Sequence, residues 1–133
     1  MEQMSRTQAR EKAYEIIFMI ELCDSVDCEL DILSEELKDH KKHMKYVSSV
    51  VKAVSDNLEE IDGIISENLD KSWSINRLSK MSIAVLRLAV AEIKYLGDIP
   101  AAVSINEAVE LSKKYGDEGE PSFINGILSK LVK

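Results

Sequence analysis

Cysteine, proline, glycine and aromatic residues are all scarce in this chain. Its 133 residues include two Cys, two Pro and five Gly, and aromatics make up 5%. Cys23 and Cys28 are too few for a disulfide framework, and with no secretory signal in view they read as free thiols. The start, Met1-Glu-Gln-Met-Ser-Arg, has no apolar signal core. No run approaches the roughly 18 consecutive apolar residues that a membrane span requires. These absences lead to the expectation of a cytoplasmic chain with no membrane association. Catalytic signatures are missing as well: there is no phosphate loop, no G-x-G-x-x-G, no G-x-S-x-G and no H-E-x-x-H. The chain is therefore expected not to be an enzyme, with no catalytic residues and no cofactor.

What is present is the composition of a helical domain. Hydrophobic residues make up 45% and charged residues 31%, a globular balance in a length that suits one domain. Both prolines lie in the last third, so little interrupts helices before it. The net charge of −7 argues against indiscriminate nucleic-acid binding, because phosphates need local positive charge. Distribution matters more than the sum. Arg6, Arg10 and Lys12 sit near the start, and Lys38, Lys41, Lys42, Lys45 and Lys52 face one Asp between residues 38 and 52. Acid concentrates at 29–36, 59–67 and 117–120.

Periodicity lays out the helices. Ser5-Arg-Thr-Gln8 fits a capping box, and Ala9, Ala13, Ile16, Ile17 and Ile20 follow at helical spacing. Arg6 and Arg10, four apart, share a face at the positive end of that helix dipole, where cations are mildly unfavourable. A structural reason for the pair is correspondingly weak. Residues 30–37 read as a short second helix capped by Asp27. Met44, Val47, Val50, Val51, Val54 and Leu58 mark a third, and Ile61, Ile64, Ile65 and Leu69 a fourth. Residues 73–78 read as a turn or short helix. Residues 83–96 are apolar on nearly every side, as expected of a buried central helix ended by Gly97-Asp-Ile-Pro100. Ser104-Ile-Asn-Glu107 has the form of a second capping box, with Lys113, Lys114 and Gly116 closing the helix it opens. Pro121 opens a last helix with Phe123, Ile127, Leu128 and Leu131 as its apolar face. The expectation is an all-α bundle of about seven helices.

Several residues invite chemistry and have simpler readings. Cys23, Cys28, His40 and His43 approximate a zinc-finger spacing, but a finger wants a hairpin between its cysteines and a longer gap between its histidines, the stretch between reads as helical, and no metal site is expected. The lysine run from Lys38 to Lys52 lacks interleaved aromatics and reads as the solvated face of an amphipathic helix. Trp73 reads as core or a packing cap. Arg87, inside the apolar central helix, calls for a carboxylate partner, either Glu92 or an acid on a neighbouring helix.

Three stretches carry more than pattern. They are Arg6-Thr-Gln-Ala-Arg-Glu-Lys-Ala-Tyr-Glu-Ile-Ile-Phe18; Trp73-Ser-Ile-Asn-Arg-Leu78 with Ala84-Val-Leu-Arg-Leu-Ala-Val-Ala-Glu92; and Ile99-Pro-Ala-Ala-Val-Ser-Ile-Asn-Glu-Ala-Val-Glu-Leu-Ser-Lys-Lys-Tyr-Gly116 with Phe123-Ile-Asn-Gly-Ile-Leu128. In order and spacing they resemble the NusB family of bacterial transcription antitermination factors. The resemblance implies an all-α fold of two small packed helical bundles, with residues 1–133 as a single RNA-binding domain. It implies binding of boxA RNA jointly with NusE, a ribosomal small-subunit protein, within a complex that helps RNA polymerase read through terminators, notably in ribosomal RNA operons. Some members also pair as homodimers. The positions carried over are Arg6, Arg10, Lys113, Ser122 and Phe123 for RNA, and Phe18 and Ser82 for NusE. The N-terminal arginines are sparser than in many members, which implies poor boxA binding without NusE. Ser82 stands where some relatives have an acid. Two other readings remain open: a helical interaction or dimerisation module without RNA binding, and the RNA-binding domain of a ribosomal RNA methyltransferase.

Overall fold

The computed structural model describes residues 5–23, 41–70 and 74–132. Among them lie six α-helices and no strand: α1 (Arg6–Cys23), α2 (Lys41–Asp56), α3 (Leu58–Glu67), α4 (Lys80–Ala91), α5 (Ala101–Tyr115) and α6 (Glu120–Leu131). A short 3-10 turn, Ile75–Arg77, precedes α4, and a π turn, Glu92–Leu96, extends it. The helix expected at 30–37, its cap Asp27, and Trp73 lie outside the described residues.

The organising element is α4. All of its residues from Met81 to Ala91 are buried. A helix with no polar stripe must be surrounded, and α4 is. α1, α2 and α3 pack on it as one group, and α5 and α6 as another. Two small bundles thus share a central helix, as the family resemblance implies. The core contributed by α1 is Ala9, Ala13, Ile16 and Ile17; by α2, Val47, Val50, Val51 and Val54; by α3, Ile61 and Ile65; by α6, Ile124, Ile127 and Leu128. No described helix is long and apolar enough to cross a membrane.

Local chemistry sets the boundaries. The capping box at the start of α1 is made in full: the Ser5 N–H donates to Gln8 Oε1 at 2.8 Å and the Gln8 N–H to Ser5 Oγ at 3.1 Å. Asn57 separates α2 from α3, its side-chain amide donating to the Ala53 carbonyl at 3.0 Å. Leu58, grouped with the α2 stripe by spacing, therefore begins α3 and is exposed. Gly97 ends the central helix in the left-handed region at φ 63°, where a Cβ would be strained.

The capping box read at Ser104–Glu107 is corrected. α5 begins four residues earlier, with Pro100 as its cap, whose carbonyl already accepts the Val103 N–H at 3.0 Å and the Ser104 N–H at 3.2 Å. Pro100 is suited to a helix boundary by its fixed φ. Both Ser104 and Glu107 consequently lie inside the helix and serve other partners.

Gly116, after α5, is required by close approach. Its backbone is extended (φ −108°), but a Cβ there would collide with Met81 Cε and Glu120 Oε2 and stand 2.8 Å from the Ser112 carbonyl. The side chains can move; the carbonyl belongs to the last turn of α5. Gly116→Ala is expected to destabilise the fold by about 1–3 kcal/mol, read as a lower urea midpoint at unchanged m-value.

Candidate nucleic-acid and partner interface

The residues carried over for RNA and NusE separate into distinct environments. Arg6 and Arg10 were expected to act together on one face of α1. They do not. Arg10 is 3% exposed. Its Nε donates to both oxygens of Glu92 at 3.1 and 2.9 Å, and its Nη2 to Glu92 Oε1 at 3.0 Å. Glu92 also accepts the Tyr46 hydroxyl at 2.6 Å and the Ser104 hydroxyl at 3.0 Å. One buried carboxylate at the end of α4 thus ties together α1, α2 and α5. Glu107 stands 3.8 Å from Arg10 Nη1 and accepts from Thr7 on the same helix. Arg10 therefore leaves the set of surface contacts: its guanidinium is occupied and cannot meet a phosphate without leaving a carboxylate buried and unpaired.

The electrostatics of this node follow from burial. Burial alone would lower the Arg10 pKa, but the hydrogen bonds and charge of Glu92 more than offset it and hold it above its usual value. Burial, reinforced by the Glu92 carboxylate, pushes the Tyr46 hydroxyl well above the ordinary tyrosine range; Arg10 and Arg6 pull the other way without prevailing. A raised folded-state pKa stabilises the fold below the unfolded value of about 10 and is lost as pH rises beyond it. The melting temperature is expected to fall more steeply above pH 10 in the native chain than in Tyr46→Phe. Parallel curves would remove Tyr46 from the alkaline transition.

Arg6 has a different setting. Half-buried, it lays its guanidinium over the Tyr46 ring, 4.5 Å from the centroid. No described carboxylate pairs with it. It lines a cleft of about 490 Å³ with Lys45, Tyr46, Ser49, Tyr95 and Asp98. Of the lysine run read as a solvated face, Lys45 and Lys52 are indeed exposed, and Lys45 borders this cleft. The side chains of Lys38, Lys41 and Lys42 lie outside the described residues, as do Cys28 and His40.

Lys113 and Ser122 are brought together across a groove between α5 and α6, whose walls include Ile105, Val109 and Asn125. Lys113 is exposed and pairs with Glu110 at 3.2 Å, an i,i+3 surface contact of little energetic weight. Phe123 is not in that groove. It lines a separate pocket with Arg77, Leu78, Ser79, Ser82 and Glu120. An RNA candidate and a NusE candidate, Phe123 and Ser82, thus share one pocket. Ser82 is 2% exposed, and its N–H donates to the cap Ser79 Oγ at 3.1 Å. Phe18 packs against the core, its ring centroid 6.0 Å from that of Tyr14, and does not line the pocket.

Arg87 finds its carboxylate on the neighbouring helix, not at Glu92. Its Nε and Nη2 donate to Asp62 of α3 at 2.9 and 2.8 Å. Sequence reasoning missed Tyr46, Glu92 and Ser104 as a unit. Spacing held a clue: Arg10 precedes buried Ala13 and Ile17 by three and seven residues, and Glu92 follows Leu88 and Val85 by four and seven. Each charge therefore sits on an apolar stripe.

Comparison with known proteins decides the family. A sequence model described as the NusB family matches residues 7–133. The chain belongs to the NusB family. It is 45% identical over 130 residues to the transcription antitermination protein NusB of Listeria monocytogenes serotype 4a, covering 97% of each chain. It is 44% identical over 131 residues to the NusB of Acetivibrio thermocellus, covering 98% of this chain and 90% of that one. T. maritima NusB superposes with a TM-score of 0.86 at 36% identity, covering 98% of this chain and 92% of the other. A chain from the crystal structure of antitermination factors NusB and NusE in complex with dsRNA superposes at 0.83 with 32% identity, covering 95% and 94%. The all-α NusB fold accounts for the shared central helix and its two flanking bundles.

Proposed function

We propose that this chain is a transcription antitermination factor whose residues 1–133 act as one RNA-binding domain. It binds boxA RNA together with NusE and joins the complex that carries RNA polymerase through terminators in ribosomal RNA operons, in the cytoplasm. The observation that carries this reading is the near-full-length match to proteins of that name, together with superposition on a chain from a NusB–NusE–RNA structure. The role is one of binding and assembly and calls for no catalytic group. The reported relatives are themselves covered over 90–97% of their length, which favours this reading over the methyltransferase-domain one.

On the RNA side the reading uses Arg6, which makes no ion pair with a described carboxylate, and Lys113 with Ser122 in the α5–α6 groove. Specific RNA readers act mostly on unpaired strands through such cations and stacking surfaces. Ser82 and, at the end of α1, Phe18 are the positions offered to NusE, and Phe123, in the same pocket as Ser82, is offered to RNA. The test is cell-free transcription through a terminator placed behind a boxA leader, with NusE and the rest of the complex supplied. Adding this chain is expected to raise read-through, and scrambling boxA to abolish the gain. Equal read-through with and without the chain would overturn the reading and favour a helical interaction module.

A further inference from the structure

The cleft at the start of α1 is built for a smaller ligand than a protein surface. We propose that it is a subsite for one unpaired nucleotide, with Arg6 and Lys45 taking the phosphate and the Tyr95 ring taking the base. This rests on the RNA-binding reading and deepens it.

Four observations converge. First, Arg6 is held without being neutralised. One face of its guanidinium lies on the Tyr46 ring, and Tyr46 is fixed by its 2.6 Å hydrogen bond to Glu92, which Arg10 holds in turn. Two other arginines are each spent on a carboxylate, Arg10 on Glu92 and Arg87 on Asp62. Arg6 alone of the three keeps its N–H edge for a ligand among the described residues. A cation positioned on an aromatic platform has little freedom left to lose on binding.

Second, Lys45 and Ser49 are one helical turn apart on α2, both exposed and both on the cleft wall. They add an ammonium and a hydroxyl to the same side as Arg6. Third, the π turn also lines the cleft, with Leu96 half-buried and Tyr95 36% exposed, its hydroxyl donating to the Glu60 carboxylate and leaving the ring as the free surface. An aromatic face beside a cationic wall is the arrangement that binds single-stranded nucleic acid, because every base offers a π-face. The space, about 490 Å³, falls within the range of small-molecule sites. It is large enough to admit a splayed-out nucleotide. Fourth, Asp98, just after the π turn, also lines the cleft. An ionised carboxylate only accepts hydrogen bonds and repels phosphate. The phosphate is therefore assigned to the cations of α1 and α2, and the base to the π turn that Asp98 follows.

The test uses the full chain with NusE and a labelled single-stranded boxA oligonucleotide, alone or annealed to its complement. Tyr95→Ala and Lys45→Gln are each expected to weaken single-strand binding about 10-fold. The melting temperature is expected to be unchanged for Lys45→Gln, whose side chain is exposed. Tyr95→Ala is titrated well below its own melting temperature, because Tyr95 also bonds Glu60. Tyr95→Phe is expected to bind like the native chain, since the ring and not the hydroxyl is used. Lys45→Gln is expected to lower the salt slope by about 0.7, the single-strand value per phosphate contact, and Tyr95→Ala to leave it unchanged. Annealing is expected to remove the sensitivity to Tyr95. If Arg6→Ala weakens binding while Tyr95→Ala and Lys45→Gln do not, RNA binding stands and the subsite is overturned. If the native chain binds no RNA with NusE present, both readings fail. If the two variants weaken NusE binding instead, the cleft is a protein contact and the proposal is wrong.

Discussion

Replacing Glu92 by alanine is expected to cost about 3–5 kcal/mol of stability, the scale for breaking one side of a buried ion pair. The variant would leave the Arg10 cation inside the fold with only Glu107, 3.8 Å away, and would remove the acceptor for the hydroxyls of Tyr46 and Ser104. Each unsatisfied buried group adds its own desolvation cost. In a domain of this size the loss corresponds to a fall in melting temperature of roughly 10–20 °C. The pair as a whole is worth much less, because ion formation inside a protein is opposed by desolvation. A double variant, Arg10→Met with Glu92→Leu, is therefore expected to be more stable than Glu92→Ala. Thermal melts of the three proteins check both statements. Equal stability of Glu92→Ala and the native chain would show that the node does not hold the four elements together.

Leu86→Ala is the other large effect, at roughly 2–5 kcal/mol. Leu86 is fully buried in α4. Its neighbours come from a helix enclosed on all sides, so the surrounding chain cannot collapse into the space as it might at the edge of a core. The cost should sit near the upper end for that reason. Because both bundles rest on α4, the loss is expected to appear in a single cooperative transition. Hydrogen exchange should then quicken in α1 and α2 and in α5 and α6 alike. Faster exchange confined to one group would mean that the bundles unfold independently.

The two variants mark the boundary between what sequence reveals here and what it conceals. α4 was legible because an unbroken apolar run has one physical meaning, enclosure. The ends of α1 and α4 were legible because Ser5 with Gln8, and Gly97 with Pro100, satisfy local backbone demands. Ser104 misled because a capping box and a buried hydroxyl look alike until Pro100 is seen to have begun the helix. Arg10 misled because a cation near a chain terminus reads as surface, and its partner lies 82 residues away. Long-range pairing leaves no periodic trace. The family was readable from the motif stretches, yet family position alone placed Arg6 and Arg10 in one role, and the packing around Glu92 separates them.

That separation sharpens the functional account. Arg10 holds Glu92, Glu92 holds Tyr46, and the Tyr46 ring carries the half-buried Arg6. The most direct measurement is fluorescence anisotropy of labelled boxA RNA and a scrambled control, with and without NusE, at two salt concentrations. The account predicts poor binding by the chain alone and markedly tighter, boxA-selective binding when NusE is present. Equal, weak and salt-sensitive binding to both RNAs, whether or not NusE is added, would contradict it.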